Sequence, residues 1–167
     1  MTDDLALVSI VMGSESDLDV MRKAADVLER LEIGHEIRIM SAHRTPELVG
    51  EYASGAAGRG VKVMIAGAGA AAALPGVVAA HTSLPVIGVP INATPLNGVD
   101  ALYSIVQMPS GVPVATVSID GATNAAVLAA QILALQDPAI GDRLEQMTEE
   151  RRAGVIESDR RVHREAQ

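Results

Sequence analysis

Cysteine, tryptophan and phenylalanine are missing from this chain of 167 residues, and tyrosine occurs only twice, as Tyr52 and Tyr103. Without cysteine there is no disulfide framework, no thiolate nucleophile and no thiolate metal ligand, so any chemistry rests on oxygen and nitrogen groups. With so few rings a base-stacking platform cannot be assembled within one chain, and a nucleotide-like ligand has to be held by polar contacts. Positive charge is also scarce: 13 Lys and Arg against 21 Asp and Glu leave a formal net charge of −8. That sign is unfavourable for a phosphate backbone, and no nucleic-acid partner is expected. No apolar run reaches membrane-spanning length, and the acidic start MTDDLALVSIVMGSESD carries neither a basic leader nor a cleavage pattern. A cytoplasmic protein that does not engage a membrane is the expectation.

Apolar residues, by contrast, make up 49% of the chain, enough to bury one core without staples. Short runs rich in Val and Ile read as strands at Ala6 to Met12, His35 to Met40, Val61 to Ala66, Pro85 to Ile91 and Pro113 to Ile119. Several are apolar at consecutive positions, the mark of parallel strands covered on both faces. Between them lie helical patterns. From Ser16 to Leu31, the positions Met21, Ala24, Ala25, Leu28 and Leu31 fall on a 3.6-residue stripe. Thr45 before Pro46 predicts a helix start running through Tyr52, Pro75 a short helix through Ala80, and Thr123 or Asn124 a cap for a helix to Leu135. Alternating strands and helices predict a three-layer α/β/α sandwich with a parallel, doubly wound sheet, whose ligands sit at the carboxyl ends of the strands. The core domain is expected over residues 1–136. Residues 137–167, with Ile140, Leu144, Met147 and Val155 in a charged setting, read as an appended helix with a frayed tail, either solvated or docked on a neighbouring subunit.

Four segments follow strands and can carry chemistry. Gly13-Ser14-Glu15-Ser16-Asp17 combines a glycine, hydroxyls and a helix start, an anion cradle with a carboxylate suited to ribose hydroxyls. The same residues also read as a capping box, Ser14 with Asp17, which needs no ligand. They match neither a Walker loop nor a GxGxxG fingerprint, so a nucleoside triphosphate or dinucleotide is not indicated. Ser41-Ala42-His43-Arg44-Thr45-Pro46 places a guanidinium fork and a hydroxyl beside the one side chain type that titrates near neutrality, a grouping suited to proton transfer next to an anion. Ala66-Gly67-Ala68-Gly69, running through Ala73 to Leu74-Pro75-Gly76, lets backbone approach a ligand closely, or serves only as a turn between packed elements. The stretches Gly88 to Asp100 and Ser104 to Pro109 read as further loop residues after the fourth strand.

Taken in order, GSESD, SAHRTP, AGAG with LPG, LPVIGVP, and SIVQMPSGVPVATVSI followed by NA resemble the class I 5-(carboxyamino)imidazole ribonucleotide mutases of purine biosynthesis, over roughly residues 7–136. The resemblance implies a flavodoxin-like fold and a homo-octamer that uses no metal, ATP or organic cofactor. It implies that Ser14, Ser16 and Asp17 hold the ribose and phosphate of a phosphorylated aminoimidazole ribonucleotide, with Ser41 and Arg44 as phosphate contacts and His43 as catalytic acid and base. Ala68, Gly69 and Leu74 then line the loop that holds released carbon dioxide against the carbon nucleophile and excludes water. The reaction implied moves a carboxyl group from the exocyclic nitrogen to ring carbon C4.

This chain departs from the family pattern AGAGGAAHLPG, with Ala70 at a glycine position and Ala73 at a histidine position. Leu18 stands where tryptophan is usual, and Asp120 where glycine is usual. Three readings accommodate these departures: a mutase, a specialised paralogue acting on another phosphorylated heterocycle, and a non-catalytic nucleotide-binding oligomer.

Overall fold

A computed structural model describes residues 5–165. β1 (Val8–Met12) leads through one 3₁₀ turn (Glu15–Asp17) into α1 (Leu18–Arg30), and β2 (His35–Ile39) leads into α2 (Pro46–Ala56). β3 (Val63–Gly69) precedes α3 (Leu74–His81), and β4 (Val86–Ile91) precedes α4 (Val99–Val106). β5 (Ala115–Thr116) is followed by α5 (Ala122–Ala134) and α6 (Pro138–Glu165). All strand pairs are parallel and their order is β2-β1-β3-β4-β5, with Ile10 beside Ile37 on one side and Ile65 on the other. This is the flavodoxin-like order, and its direction of winding reverses between β1 and β3.

Alternate side chains of the central strands feed two cores. Val8, Ile10 and Met12 of β1, with Val63 and Ile65 of β3, pack against α1, α5 and the start of α6. Val11, Met64, Ala66 and Ala68 pack against α2, α3 and α4 on the other face. The predicted α1 stripe is realised, since Met21, Ala24, Ala25 and Leu28 are all buried. Gly67 lies close under α1: a Cβ there would lie 2.3 Å from the Met21 sulfur, and the Met21 side chain would have to shift.

The main differences from expectation are at β5, α4, α6 and the start of α5. The fifth strand shrinks from Pro113 to Ile119 to the pair Ala115–Thr116. Its neighbour β4 carries Pro90, which has no N–H to donate, so past Gly88 the ladder breaks into single bonds from Val117 N to Gly88 O and from Asp120 N to Pro90 O. α4, expected as loop, forms because Gly98 in the left-handed region (φ +82) turns the chain and lets Ala101 and Ile105, one helical turn apart, bury against the sheet. α6 remains helical to Glu165. Ile140 and Met147 are buried in the α1 and α5 core, Arg143 Nε donates to Leu31 O at 2.6 Å, and Arg30 pairs with Glu150. From residue 151 onward every described residue of the helix is exposed, Val155 included. α5 begins at Ala122 with Gly121 as its N-cap, two residues before Thr123 and three before Asn124.

One polar group crosses the second core. Ser9 of β1 is fully buried, and its hydroxyl meets the Tyr52 phenol at 2.6 Å. Tyr52 donates in turn to Glu36 Oε1, so the serine donates to the phenol oxygen. The guanidinium groups of Arg59 and Arg38 lie 4.3 and 5.2 Å from the ring centroid, favourable contacts for a π-face. Burial, reinforced by the Glu36 hydrogen bond, raises the phenol pKa, and the group stays protonated. Tyr52→Phe leaves the Ser9 hydroxyl and one Glu36 oxygen without this partner, and the expected loss of stability is about 1–3 kcal/mol in urea denaturation.

Candidate functional site

The reversal of winding between β1 and β3 sends the chain away from their carboxyl ends in opposite directions, which opens a crevice. A cavity of about 370 Å³ occupies it. Gly13, Ser14 and Asp17 come from the loop after β1, Ser41, Ala42, His43 and Arg44 from the loop after β2, and Ala68, Gly69, Ala70, Ala71, Ala73 and Leu74 from the end of β3 through the start of α3. Ala93, from the loop after β4, completes the lining. Three of the four predicted segments therefore converge, and the fourth contributes only Ala93. Ser16 is exposed and does not line the cavity; its hydroxyl donates to Asp17 Oδ1 at 3.3 Å. Ala42, Ala71 and Ala93 were not singled out individually from the sequence, because methyl surface carries no chemical signature there.

The polar side is braced by its own hydrogen bonds. Thr45 Oγ1 accepts from Ser41 N at 2.9 Å and donates to Ser41 O at 3.1 Å, closing the loop in front of α2. This occupies the hydroxyl that would otherwise cap the helix, and Thr45 makes no side-chain cap bond. Arg44 Nη2 donates to Gly13 O at 2.8 Å and Nε to Ser41 Oγ at 3.3 Å, so one guanidinium ties the β1 and β2 loops together. His43 is exposed beside it, with no hydrogen-bond partner for its ring among the described residues.

On the β1 side, Ser14 Oγ accepts from Ser16 N at 3.3 Å, and the Asp17 carboxylate accepts from backbone at Ser14 and Gly13. The capping box and the cavity are thus built from the same residues. Asp17 is buried, and desolvation raises its pKa above the ordinary carboxyl value, against the opposing effects of Ser16, the backbone bonds and the Arg44 charge. Burial wins.

The opposite wall is apolar and tightly packed. A Cβ on Gly69 would lie 2.6 Å from the Ala93 methyl and 3.2 Å from Ile91 O, so only glycine fits. Ala70 takes φ +51, a left-handed conformation that costs a non-glycine residue roughly 1–2 kcal/mol. Ala73 stands at the N-cap of α3 and has no side-chain acceptor for the helix amides. Among the described residues there is no cluster of three or more His, Asp or Glu groups placed to hold a metal ion.

A family model described as AIR carboxylase matches residues 7–153. The chain belongs to the AIR carboxylase family. Among family relatives, the N5-carboxyaminoimidazole ribonucleotide mutase of Pyrococcus abyssi is 59% identical over 143 residues, covering 86% of this chain and 82% of the relative. The enzyme of the same name from Thermotoga maritima is 54% identical over 155 residues, covering 93% and 91%. The crystal structure of Treponema denticola PurE superposes with a TM-score of 0.85 at 36% identity, covering 94% of this chain and 98% of that one. The AIR carboxylase family thus accounts for both the core and the first part of α6.

Asp17 links this site to stability. A carboxyl whose folded-state pKa is raised contributes stability that is fully present below its unfolded value and is lost as pH rises through the raised value, so at neutral pH the buried charge is a net cost. Asp17→Asn is expected to raise the urea midpoint at pH 7. The difference from the parent should shrink as pH falls through the raised value towards the ordinary 3.8, where the parent carboxyl protonates. A variant no more stable than the parent at pH 7 would contradict this.

Proposed function

We propose that the chain is an N5-carboxyaminoimidazole ribonucleotide mutase of purine biosynthesis, acting in the cytoplasm and moving the carboxyl group from the exocyclic nitrogen to C4. The observation that carries this reading is the meeting of Ser14, Asp17, Ser41, His43 and Arg44 on one side of a cavity whose other side is a continuous small-residue wall. Arg44 and Ser41 take the phosphate, the guanidinium supplying a charge-assisted bond. Ser14 and Asp17 take the ribose hydroxyls, and Ser16 holds the Asp17 carboxylate in place. The heterocycle lies towards Ala68, Gly69, Ala70 and Leu74, where small side chains bring the backbone close and displace water.

His43 is suited to the proton traffic because it stands exposed beside Arg44 with its ring free of hydrogen-bond partners among the described residues, and an imidazole can both give and take a proton. As the N–CO₂ bond breaks, the exocyclic nitrogen keeps the electron pair and takes a proton from His43. Carbon dioxide and the electron-rich ring then sit together in the cavity, and C4 attacks the carbon. The C4 proton returns to His43, which ends the cycle as it began. No external reactant is consumed.

The exposed apolar residues of α4 (Val99, Tyr103 and Val106, with Leu96 just before the helix) and of the outer α6 (Val155, Ile156 and Val162) are surface that a second copy of the chain would cover. A closed homo-octamer is the arrangement proposed, in which the 137–167 segment is anchored on its own 1–136 catalytic domain through Ile140 and Met147 and its exposed outer helix packs across the assembly.

Supplying carboxyaminoimidazole ribonucleotide and following the C4-carboxylated isomer tests the assignment directly. His43→Asn keeps a polar group of similar size but cannot carry protons near neutrality, so turnover should vanish while ligand affinity stays close to the parent value. Turnover that survives the substitution would move the proton carrier elsewhere. A second reading, a paralogue for another phosphorylated heterocycle, is favoured by the alanines at 70 and 73, which leave the carboxylate end without a side-chain donor. Ala73→His combined with Ala70→Gly discriminates the two. For a mutase, kcat should rise by more than affinity for the decarboxylated nucleotide, because the added donor meets only the migrating carboxylate. Good nucleotide binding with no C4-carboxylated product would favour the paralogue.

A further inference from the structure

We propose that Asp120 is a positioning residue for the apolar wall of the cavity, acting through the backbone of Asn92 and Ala93. The identity of the ligand rests on the mutase reading; the clasp itself rests on geometry. Asp120 follows β5 in the left-handed region, at φ +56, a conformation that Asp and Asn tolerate better than most side chains. From there it grips the end of β4 twice. Its N–H donates to Pro90 O at 2.8 Å, and its Oδ1 accepts from the Asn92 N–H at 2.9 Å. Pro90 and Asn92 flank Ile91, the last residue of β4, so the clasp holds the strand on either side of the point where the sheet stops supplying partners.

The next residue is Ala93, the one part of the cavity wall that comes from this loop. It presses on Gly69 so closely that a Cβ there would lie 2.6 Å from its methyl. That contact stops the loop from moving towards β3, and the Asp120 clasp stops it from moving away. Behind the loop, Ile119 fills the space at Gly98, where a Cβ would meet Ile119 Cγ2 at 2.6 Å. The far end of the loop is therefore seated on the residue beside Asp120. The polar end of the cavity has its own bracing through Arg44, Ser41 and Thr45, which shares no hydrogen bond with this clasp. Loosening Asp120 should loosen the heterocycle end and leave the phosphate end intact.

Two substitutions separate the clasp from backbone strain. Asp120→Gly accepts φ +56 freely and removes the carboxylate acceptor, whereas Asp120→Asn retains an oxygen that can accept from Asn92. Amide hydrogen exchange on the free protein reads the clasp directly. The Asn92 amide should exchange about tenfold faster in the glycine variant and near the parent rate in the asparagine variant, as loss and retention of one hydrogen bond require. Calorimetric titration then reads the wall. Affinity for aminoimidazole ribonucleotide should fall by about fivefold with Asp120→Gly and recover with Asp120→Asn, while affinity for ribose 5-phosphate stays at the parent value throughout. Unchanged exchange at Asn92 would overturn the clasp, and equal loss for both ligands would overturn its role at the wall, since that is what general loosening produces. A parent protein that binds ribose 5-phosphate but not the nucleotide would overturn the mutase reading instead, and the exchange rates would still decide the clasp.

Discussion

The cavity depends on one constraint: β1 and β3 lie side by side in register while the chain leaves them in opposite directions. Val8 pairs with Val63 and Met12 with Gly67, and β3 runs on two residues past the end of β1 to Gly69. That arrangement needs a third participant, the close approach of α1 over the end of β3. Gly67 admits the Met21 side chain, and Gly69, two residues on, admits the Ala93 methyl. A side chain at Gly67 would displace Met21, whereas one at Gly69 would meet the Ala93 methyl and the Ile91 carbonyl and force the wall of the cavity to shift.

From that constraint the division of labour follows. The loops after β1 and β2 carry every polar side chain of the cavity, and Arg44 joins them by reaching from one to the carbonyl of Gly13 on the other. The β3 loop supplies mainly backbone and methyl groups. A ligand with a phosphate at one end and a flat, weakly polar ring at the other matches such a partition. The arrangement also stores unfavourable energy where ligand is to be met, since Asp17 is buried as a carboxylate and Ala70 is held left-handed. Strain and desolvation of this kind persist only where the surrounding structure is firm enough to hold them.

Much of this was legible in the residues. The largely apolar runs Ala6 to Met12 and Val61 to Ala66 announce strands buried on both faces, and the polar motifs GSESD and SAHRTP stand out because each follows a strand at once. The fold class and the two polar loops were therefore readable from pattern alone. α4 was not, because a short stretch after a glycine, with only Ala101 and Ile105 to bury, looks like loop until it packs against the sheet. β5 was overextended because Pro90 lies in the neighbouring strand, and a proline's missing N–H is felt across the sheet rather than along the chain. Ala93 was invisible for a simpler reason: an alanine acquires a role only from what it touches.

The scarcity of aromatic residues leaves the folded chain with a peculiar optical character. With no tryptophan, its near-ultraviolet absorption and emission come from two phenols in opposite surroundings. Tyr52 is buried, with the guanidinium groups of Arg38 and Arg59 near its ring and hydrogen bonds to Ser9 and Glu36, whereas Tyr103 stands on the outer face of α4 with 62% of its surface exposed. The circular dichroism of the tyrosine band is therefore dominated by the immobilised inner ring and follows the second core. Quenching by a dissolved agent reaches mainly the outer ring and follows whatever comes to cover α4. A single chain thus carries separate, label-free reporters of its interior and of one surface.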